Sequence, residues 1–164
     1  MKNSLKKEPD FKSIIAVSEE EFEMGKLLFH EYSESLDFDL CFQNFEKELK
    51  EINVQYNSPD GGLILIVQDS KFIGCAGIRK FEGDIGELKR MYIKSEYRGF
   101  GLGKKLLWES IKLAAKLGYK KIRLDTLTSM KAAVHLYKKN GFKETEAYRF
   151  NPSKDVLYFE KVID

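Results

Sequence analysis

The sequence predicts a mixed α+β fold in which an antiparallel sheet is continued by a parallel crossover. Its 164 residues suit one domain with a single core. Three apolar segments between residues 63 and 93 are separated by short polar turns, which is typical of consecutive β-hairpins. An amphipathic helix and another apolar segment follow, and this order is typical of a βαβ unit.

Apolar segments bounded by turn residues predict a central, mostly antiparallel sheet of six to seven strands. Residues 69–71 and 82–84 contain the small and polar residues that favour tight turns between such strands. The strands are expected at residues 11–17, 63–67, 72–81, 85–93, 121–127 and 156–162, with a further short one around 143–148.

About four helices should flank this sheet. The first begins at Ser18, where three glutamates follow in a pattern typical of a capping box. Gly118 and Gly141 follow the last two helices, and glycine there allows the left-handed conformation that ends a helix. The helices are expected at residues 18–33, 42–51, 104–117 and 130–140, within a domain at 11–164 that follows a tail at 1–10.

The composition is that of an ordinary globular protein, with 43% hydrophobic and 33% charged residues. No apolar segment approaches the ~20 residues of a membrane helix, and the first residues are too polar for a secretory signal. A net charge of +2 gives no indication of a nucleic-acid partner. Cys41 and Cys75 lack metal or redox spacing, so no metal site is expected, and reduced thiols in a cytoplasmic protein are predicted.

Residues 98–103 read Arg-Gly-Phe-Gly-Leu-Gly and lie between a predicted strand and a predicted helix. A glycine-rich turn that opens a helix leaves backbone N–H groups free. Together with the positive end of the helix dipole, these groups bind phosphate oxygens. Arg98, Lys104 and Lys105 add positive charge around the same turn. The segment is therefore predicted to bind a phosphorylated ligand.

Two common phosphate-binding patterns fit this turn poorly. A P-loop needs a glycine at position 98 and a hydroxyl side chain after Gly103-Lys104, but the chain has Arg98 and Lys105 there. The dinucleotide fingerprint needs Gly-x-Gly-x-x-Gly early in a βαβ unit, whereas this turn reads Gly-x-Gly-x-Gly and follows several strands. A third pattern, Arg/Gln-x-x-Gly-x-Gly/Ala, matches residues 98–103.

With the strand before it, this third pattern resembles the acetyl-CoA site of the GNAT superfamily of N-acetyltransferases. Leu136-Tyr-Lys-Lys-Asn-Gly-Phe142 resembles the family's Leu-Tyr-x-x-x-Gly-Phe helix end. Segments at 37–45, 123–126 and 151–152 resemble a bacterial subgroup, so that the resemblance runs from about residue 11 to 163. It implies a GNAT-like fold and direct acetyl transfer, in a ternary complex, from acetyl-CoA to a primary amine of a small molecule or a protein. A non-catalytic acyl-CoA-binding regulator is the alternative function.

The resemblance also implies that the strands on either side of the glycine turn and its helix separate to hold acetyl-CoA. For Met91 and Ile93, ordinary strand packing is the alternative. Many members have Asn at the position of Met130, where the Asn can contact the cofactor. Because this chain has Met there, an Asn-mediated contact is not expected. The residues implied to bind acetyl-CoA are Met91, Tyr92, Ile93, Arg98, Gly99, Phe100, Gly101, Leu102, Gly103, Lys104, Ala133 and Tyr137.

Tyr137 and Glu87 are the catalytic residues that the resemblance implies. The family often uses a hydroxyl at the position of Tyr137 to donate a proton to the departing thiolate, and a phenol of pKa ~10 keeps its proton at neutral pH. The alternative is a helix aromatic packed on the core. Glu87 aligns with a strand glutamate that is the general base in some members. Its alternative is an ion pair with Lys89 or with a cation on the neighbouring strand.

The acceptor-binding residues are less clearly indicated. Acidic side chains near the end of the first helix would suit a cationic amine, although solvated surface carboxylates are the alternative. These residues are Glu31, Glu34, Asp37 and Asp39, and the aromatics that could line a pocket or the core are Phe38, Phe42, Phe45, Tyr148 and Phe150. No nucleic-acid or membrane partner is expected. An edge strand at 156–162 would allow a homodimer.

Overall fold

The computed structural model describes residues 9–37, 39–40 and 44–163. The strands are β1 (Lys12–Ile15), β2 (Gly62–Gln68), β3 (Lys71–Glu82), β4 (Ile85–Ile93), β5 (Lys121–Leu127), β6 (Lys143–Thr145) and β7 (Val156–Val162). The helices are α1 (Glu19–Glu34), α2 (Phe45–Lys50), α3 (Ile52–Gln55), α4 (Leu102–Lys116) and α5 (Lys131–Lys139), with a 3₁₀ turn at Ser95–Tyr97. Residues 1–8 of the predicted tail, Phe38, Cys41 and Phe42 lie outside the described residues. The boundary between tail and domain stays a prediction.

The strands form one seven-stranded sheet in the order β1-β2-β3-β4-β5-β7-β6. Five of the neighbouring pairs are antiparallel, and β4 with β5 is the parallel pair. Because α4 connects the two parallel strands, the predicted hairpins and crossover are confirmed, as is the mixed α+β class.

Two cores lie on opposite faces of the sheet. Along β2, Ile64 and Ile66 belong to the core that includes Leu106 of α4. Leu63 and Leu65 belong to the core beneath α1 to α3. Side chains alternate between the faces of a strand, so β2 is apolar throughout because helices cover both sides.

Two details of the predicted elements need correction. The helix expected over residues 42–51 is α2 at Phe45–Lys50, which ends because Glu51 leaves helical geometry at φ −106° and ψ 17°, and a further short helix, α3, follows at Ile52–Gln55. The strand at 156–162 is not an edge strand, because β6 pairs with it at Tyr158, Phe159 and Glu160. The strand at 156–162 therefore does not offer the exposed edge that was proposed for a homodimer, and the homodimer itself stays a prediction.

The predicted start of α1 is confirmed. Ser18 Oγ accepts a hydrogen bond from the Glu21 N–H at 3.2 Å, and Glu21 Oε2 accepts one from the Ser18 N–H at 3.0 Å. This capping box uses two N–H groups that would otherwise lack partners. None of the helices in the described part of the chain has the length and hydropathy of a membrane-spanning segment. Cys75 is a free, buried thiol, and the cytoplasmic location stays a prediction.

Candidate active site

The central strands β4 and β5 separate in the middle of the sheet. Residues 85–87 of β4 pair with 121–123 of β5. Within the described residues the two strands share no further pairs, although β4 continues to Ile93 and β5 to Leu127. Backbone N–H and C=O groups of β4 are therefore turned toward an opening, where they can bind a ligand.

A β-bulge in β4 stands at this opening. Arg90 has a φ of 55°, and the register with β3 shifts between Cys75 and Gly77. One extra residue on β4 bends the strand away from its regular course, as bulges beside functional sites often do.

The Arg90 side chain ties the bulge to α2. Its Nε and Nη2 donate to the two carboxylate oxygens of buried Glu48, at 3.1 and 2.8 Å. The Tyr56 hydroxyl donates to Glu48 Oε1 at 2.7 Å. Burial alone would raise the pKa of Glu48, but the charge and hydrogen bonds of Arg90 outweigh it and hold this pKa below its ordinary value.

The glycine turn begins α4 with unused backbone donors. Gly99 and Gly101 have φ values of 88° and 75°, a region that glycine enters without steric cost. Gly101 is the N-cap, and no side chain of the described residues caps this helix end. The N–H groups of the first turn, at residues 102–104, therefore point toward the opening as donors for an anion.

A cavity of about 610 Å³ lies between the turn and the separated strands, and we name it the turn cavity. Nine of the twelve residues implied to bind acetyl-CoA line it: Met91, Tyr92, Ile93, Arg98, Gly99, Gly101, Leu102, Gly103 and Ala133. Phe100, Lys104 and Tyr137 do not line it. The Phe100 ring lies 5.5 Å from that of Phe11, and Lys104 Nζ lies 5.9 Å from the Trp108 ring.

Six further residues line the turn cavity beyond those predicted to bind acetyl-CoA, and one of them is Met130, where no cofactor contact was expected. They are Tyr97, Ser129, Met130, Lys131, Ala132 and Leu136. Ser129, Ala132, Ala133 and Leu136 follow the i, i+3, i+4, i+7 spacing of one helix face. That spacing, anchored on Ala133, is the signal that could have identified Ser129, Ala132 and Leu136.

A much smaller cavity of about 40 Å³, the inner cavity, shares Met130 with the turn cavity. Its polar lining includes Tyr32, Lys89, Asp125 and Asn151. Lys89 Nζ lies 3.5 Å from Asp125 Oδ1, and both side chains are buried. Burial lowers the pKa of Lys89 to about 8, although neighbouring carboxylates oppose the shift.

Tyr137 is buried, and its ring packs at 5.8 Å from Phe142 and 6.1 Å from Phe159. Burial raises the pKa of its hydroxyl, and the charges of Tyr32 and Asp125 add to the shift. Tyr137 lines neither the turn cavity nor the inner cavity.

Glu87 is 1% exposed and lies between two arginines. Its Oε1 accepts from Arg79 Nε at 3.0 Å, and its Oε2 accepts from Arg149 Nη2. Arg79 is the residue directly opposite Glu87 on β3. The structure thus contains the cross-strand ion pair that was the alternative for Glu87, with Arg79 rather than Lys89 as the partner.

The other acceptor candidates lie apart from one another. Lys94 pairs with Glu31 at 3.1 Å, and His30 lies 3.4 Å from Glu34. Phe45 is buried in the core beneath α1 to α3, whereas Phe150 is 82% exposed. Glu31 and Glu34 thus already have basic neighbours, and an acceptor site at the end of α1 stays a prediction.

Comparison with known proteins identifies the family. The profile of the acetyltransferase (GNAT) family matches residues 26–142. This chain belongs to the GNAT family of acetyltransferases. An uncharacterized N-acetyltransferase of Schizosaccharomyces pombe is 40% identical over 136 residues, which cover 81% of this chain and 83% of that protein.

Solved GNAT structures share the fold. The GNAT acetyltransferase of Staphylococcus aureus superposes with a TM-score of 0.77 at 19% identity, covering 94% of this chain and all of that one (100%). The PaiA N-acetyltransferase of Thermoplasma acidophilum, solved with coenzyme A, has a TM-score of 0.67 at 21% identity over 93% of this chain and 99% of that one. The separated β4 and β5 therefore belong to a GNAT fold.

Proposed function

We propose that this GNAT acetyltransferase moves the acetyl group of acetyl-CoA directly to a primary amine in a ternary complex. The observation that carries the proposal is the turn cavity, where free helix N–H groups and separated strand backbone meet. The amine nitrogen bonds to the acetyl carbon while the carbon–sulfur bond breaks. The protonated amine loses two protons in all. The thiolate gains one proton to become the thiol of coenzyme A, and the other proton is released.

The turn cavity suits acetyl-CoA in size and in chemistry. Acetyl-CoA supplies an acetyl group that is activated as a thioester. The N–H groups of residues 102–104 and the Arg98 guanidinium would hold the diphosphate. The backbone of Met91 and Ile93 would pair with the amides of the pantetheine arm. A volume of about 610 Å³ lies in the usual range of ligand sites.

Tyr137 is the proposed proton donor to the thiolate. The hydroxyl is protonated through the neutral range, although its raised pKa makes it a weaker acid than an ordinary phenol. The place of Tyr137 in the Leu-Tyr-x-x-x-Gly-Phe segment, at residues 136–142, supports the role.

The general-base role of Glu87 stays a prediction, and its contacts support the ion-pair alternative. Both carboxylate oxygens already accept hydrogen bonds from guanidinium groups. Measuring kcat of Glu87→Gln from pH 6 to 9 separates the roles. We expect the pH dependence to persist, because an ion-pair partner is not titrated during turnover. Loss of the alkaline rise in kcat would instead assign the base to Glu87.

Thiol release from acetyl-CoA, measured with a broad panel of amines, tests the proposed reaction. We expect calorimetry to show acetyl-CoA binding and at least one amine to accelerate thiol release. Mass spectrometry should find one added acetyl group on that amine. Tight acetyl-CoA binding without turnover of any amine would contradict transfer and indicate the acyl-CoA-binding regulator.

A further inference from the structure

A third cavity, of about 490 Å³, lies beside Glu87, and we name it the acceptor cavity. Glu87 precedes Lys89 of the inner cavity by two residues on β4. A strand rises ~3.3 Å per residue, so the two positions lie roughly 7 Å apart. The acceptor cavity and the inner cavity therefore border β4 at positions two residues apart.

Basic groups outnumber acidic ones around the acceptor cavity. Arg79, Lys80 and Arg149 line it together with Glu87 and Asp60. Glu87 is already neutralised by the two arginines. The cavity therefore presents a positive field, which attracts anionic groups and opposes a polycation.

Arg149 is held rigidly but is only partly used. Its Nη2 donates to Glu87, and its Cζ lies 5.5 Å from the Tyr148 ring centre and 5.8 Å from that of Phe81. Its Nε and Nη1 donate no hydrogen bond to the described residues, and neither is a buried atom without a partner. These donors therefore remain available to a ligand.

Arg79 offers a useful contrast within the same cavity. Its Nε and Nη2 both lie 3.0 Å from Glu87 Oε1, and its Nη1 donates to Gln55 Oε1 at 2.8 Å. All three nitrogens thus serve the protein. Arg79 fixes Glu87, and Glu87 in turn orients Arg149, whose remaining donors are the ones that can bind a ligand.

The hydroxyl of Tyr148, whose ring lies beneath Arg149, has no role in the acceptor cavity. It is buried and has no hydrogen-bond partner among the described residues. Burial raises its pKa, and the charges of Asp125 and Glu87 raise it further, so the hydroxyl keeps its proton. Tyr148 does not line the acceptor cavity, so its contribution to the site is the ring that positions the Arg149 guanidinium.

We propose that the acceptor is a small amine that also carries a carboxylate, and that Arg149 binds this carboxylate. The inference rests on the proposed acetyl transfer. Guanidinium groups bind carboxylates with paired, charge-assisted hydrogen bonds, and Arg149 is preorganised for such a contact. With its carboxylate at Arg149, the acceptor would direct its amine toward the opening between β4 and β5.

Matched acceptors test this directly. Thiol release is measured for each amino acid, for its carboxamide and for the amine that lacks the carboxyl group, with spermidine as a polycation. We expect kcat/KM for the preferred amino acid to exceed that of its carboxamide by about 30-fold, because the carboxamide cannot pair with a charged guanidinium.

Two arginine variants then locate the contact. Arg149→Gln should raise KM for the amino acid about 30-fold and leave KM for the carboxamide within about threefold. Arg123→Gln is the control, because Arg123 also lies over the Phe81 and Tyr148 rings, at 5.1 and 5.2 Å, but does not line the acceptor cavity. It should leave the preference for the carboxylate unchanged.

The outcomes separate this inference from the proposed function. Equal turnover of acids, carboxamides and simple amines would overturn the carboxylate site while acetyl transfer stands. A preference for spermidine, or an equal rise in KM for acid and carboxamide in Arg149→Gln, would also overturn it. No turnover of any amine despite acetyl-CoA binding would contradict the proposed transfer itself.

Discussion

The turn cavity and the acceptor cavity are built in opposite ways. The turn cavity is lined by two continuous parts of the chain, 91–103 and 129–136, and it offers mainly backbone groups and apolar side chains. The acceptor cavity is lined by residues that are far apart in sequence, among them Gln55, Arg79 and Arg149, and it offers charged side chains.

The fold of the family explains the acetyl-CoA site, but it does not explain which acceptor is preferred. Backbone N–H groups at a glycine turn bind any diphosphate, so the donor site follows from the fold that GNAT proteins share. In the proposed acceptor site, charged side chains on four segments would determine which acceptor is attracted, and they depend on this particular chain. Variants at the turn cavity should therefore change acetyl-CoA binding, whereas variants at the acceptor cavity should change the choice of acceptor.

The largest effect is expected on stability, from Glu48, whose ion pair with Arg90 supports the bulge between the two cavities. Glu48→Gln should lower the free energy of unfolding by about 3–5 kcal/mol at pH 7, because it leaves Arg90 buried without its counter-charge. Denaturant titration measures this. Glu46→Gln, on the exposed side of α2, is the control and should change little.

The Glu48 effect also has a defined pH dependence. The pKa of Glu48 is lower in the folded than in the unfolded chain, so its contribution is present above about pH 4.3 and is lost as the pH falls through the folded pKa. The gap between wild type and Glu48→Gln should therefore narrow in acid. A gap that is constant from pH 7 to pH 3 would contradict the ion-pair explanation.

Tyr137→Phe should give the largest catalytic effect. We expect kcat to fall about 100-fold, because the thiolate loses its proposed proton donor, while the Kd of acetyl-CoA changes less than about threefold. Steady-state kinetics and calorimetry measure the two quantities. Tyr119→Phe serves as the control, because Tyr119 lines none of the three cavities and its hydroxyl donates to the backbone carbonyl of Asp60, away from the turn cavity. An unchanged kcat in Tyr137→Phe would exclude proton donation by this residue.

The same contrast explains how far the sequence could predict the molecule. The hairpins, the βαβ unit and the glycine turn were predictable because each depends on neighbouring residues. The partner of Glu87 was only partly predictable: Arg79 follows from hairpin register, but Arg149 is 62 residues away. The left-handed Arg90 and the break at Glu51 carry no glycine or proline signal. Such features depend on tertiary packing rather than on local preference.

Lys89 lies on β4 between the residues of the turn cavity and those of the acceptor cavity. It should make the free energy of unfolding depend on pH. Its folded pKa of about 8 is below the unfolded value near ~10.4, so the unfolded chain binds more protons between these values. The free energy of unfolding should therefore gain up to about 1.4 kcal/mol per pH unit from pH 8 toward 10. The buried tyrosines have raised pKa values and act with the opposite sign, but only above about pH 10.

Lys89→Met tests this assignment. Denaturant midpoints at pH 8, 9 and 10 should rise in the wild type and stay level in the variant. Lys71→Met, at an exposed position on β3, is the control and should keep the wild-type slope. If Lys89→Met retains the slope, another group titrates in this range and Lys89 is not the lysine with the lowered pKa.

The smallest effect is expected at the glycine turn and concerns acetyl-CoA binding. Gly101→Ala places a side chain at a φ of 75°, which costs about 1–2 kcal/mol. The variant relieves this strain by leaving the left-handed region, which moves the N–H groups of the first turn of α4. Acetyl-CoA must then restore the turn, so we expect its Kd to rise about fivefold or more.

Gly118→Ala is a matched control at the other end of α4. Gly118 has a φ of 90°, and a methyl group there would meet no atom within 4 Å, as at Gly101. Both variants should lose similar stability, but only Gly101→Ala should weaken acetyl-CoA binding, because Gly118 does not line the turn cavity. Equal affinities in the two variants would show that the first turn of α4 does not contribute to binding, and the donor site would then have to depend on the separated strands alone.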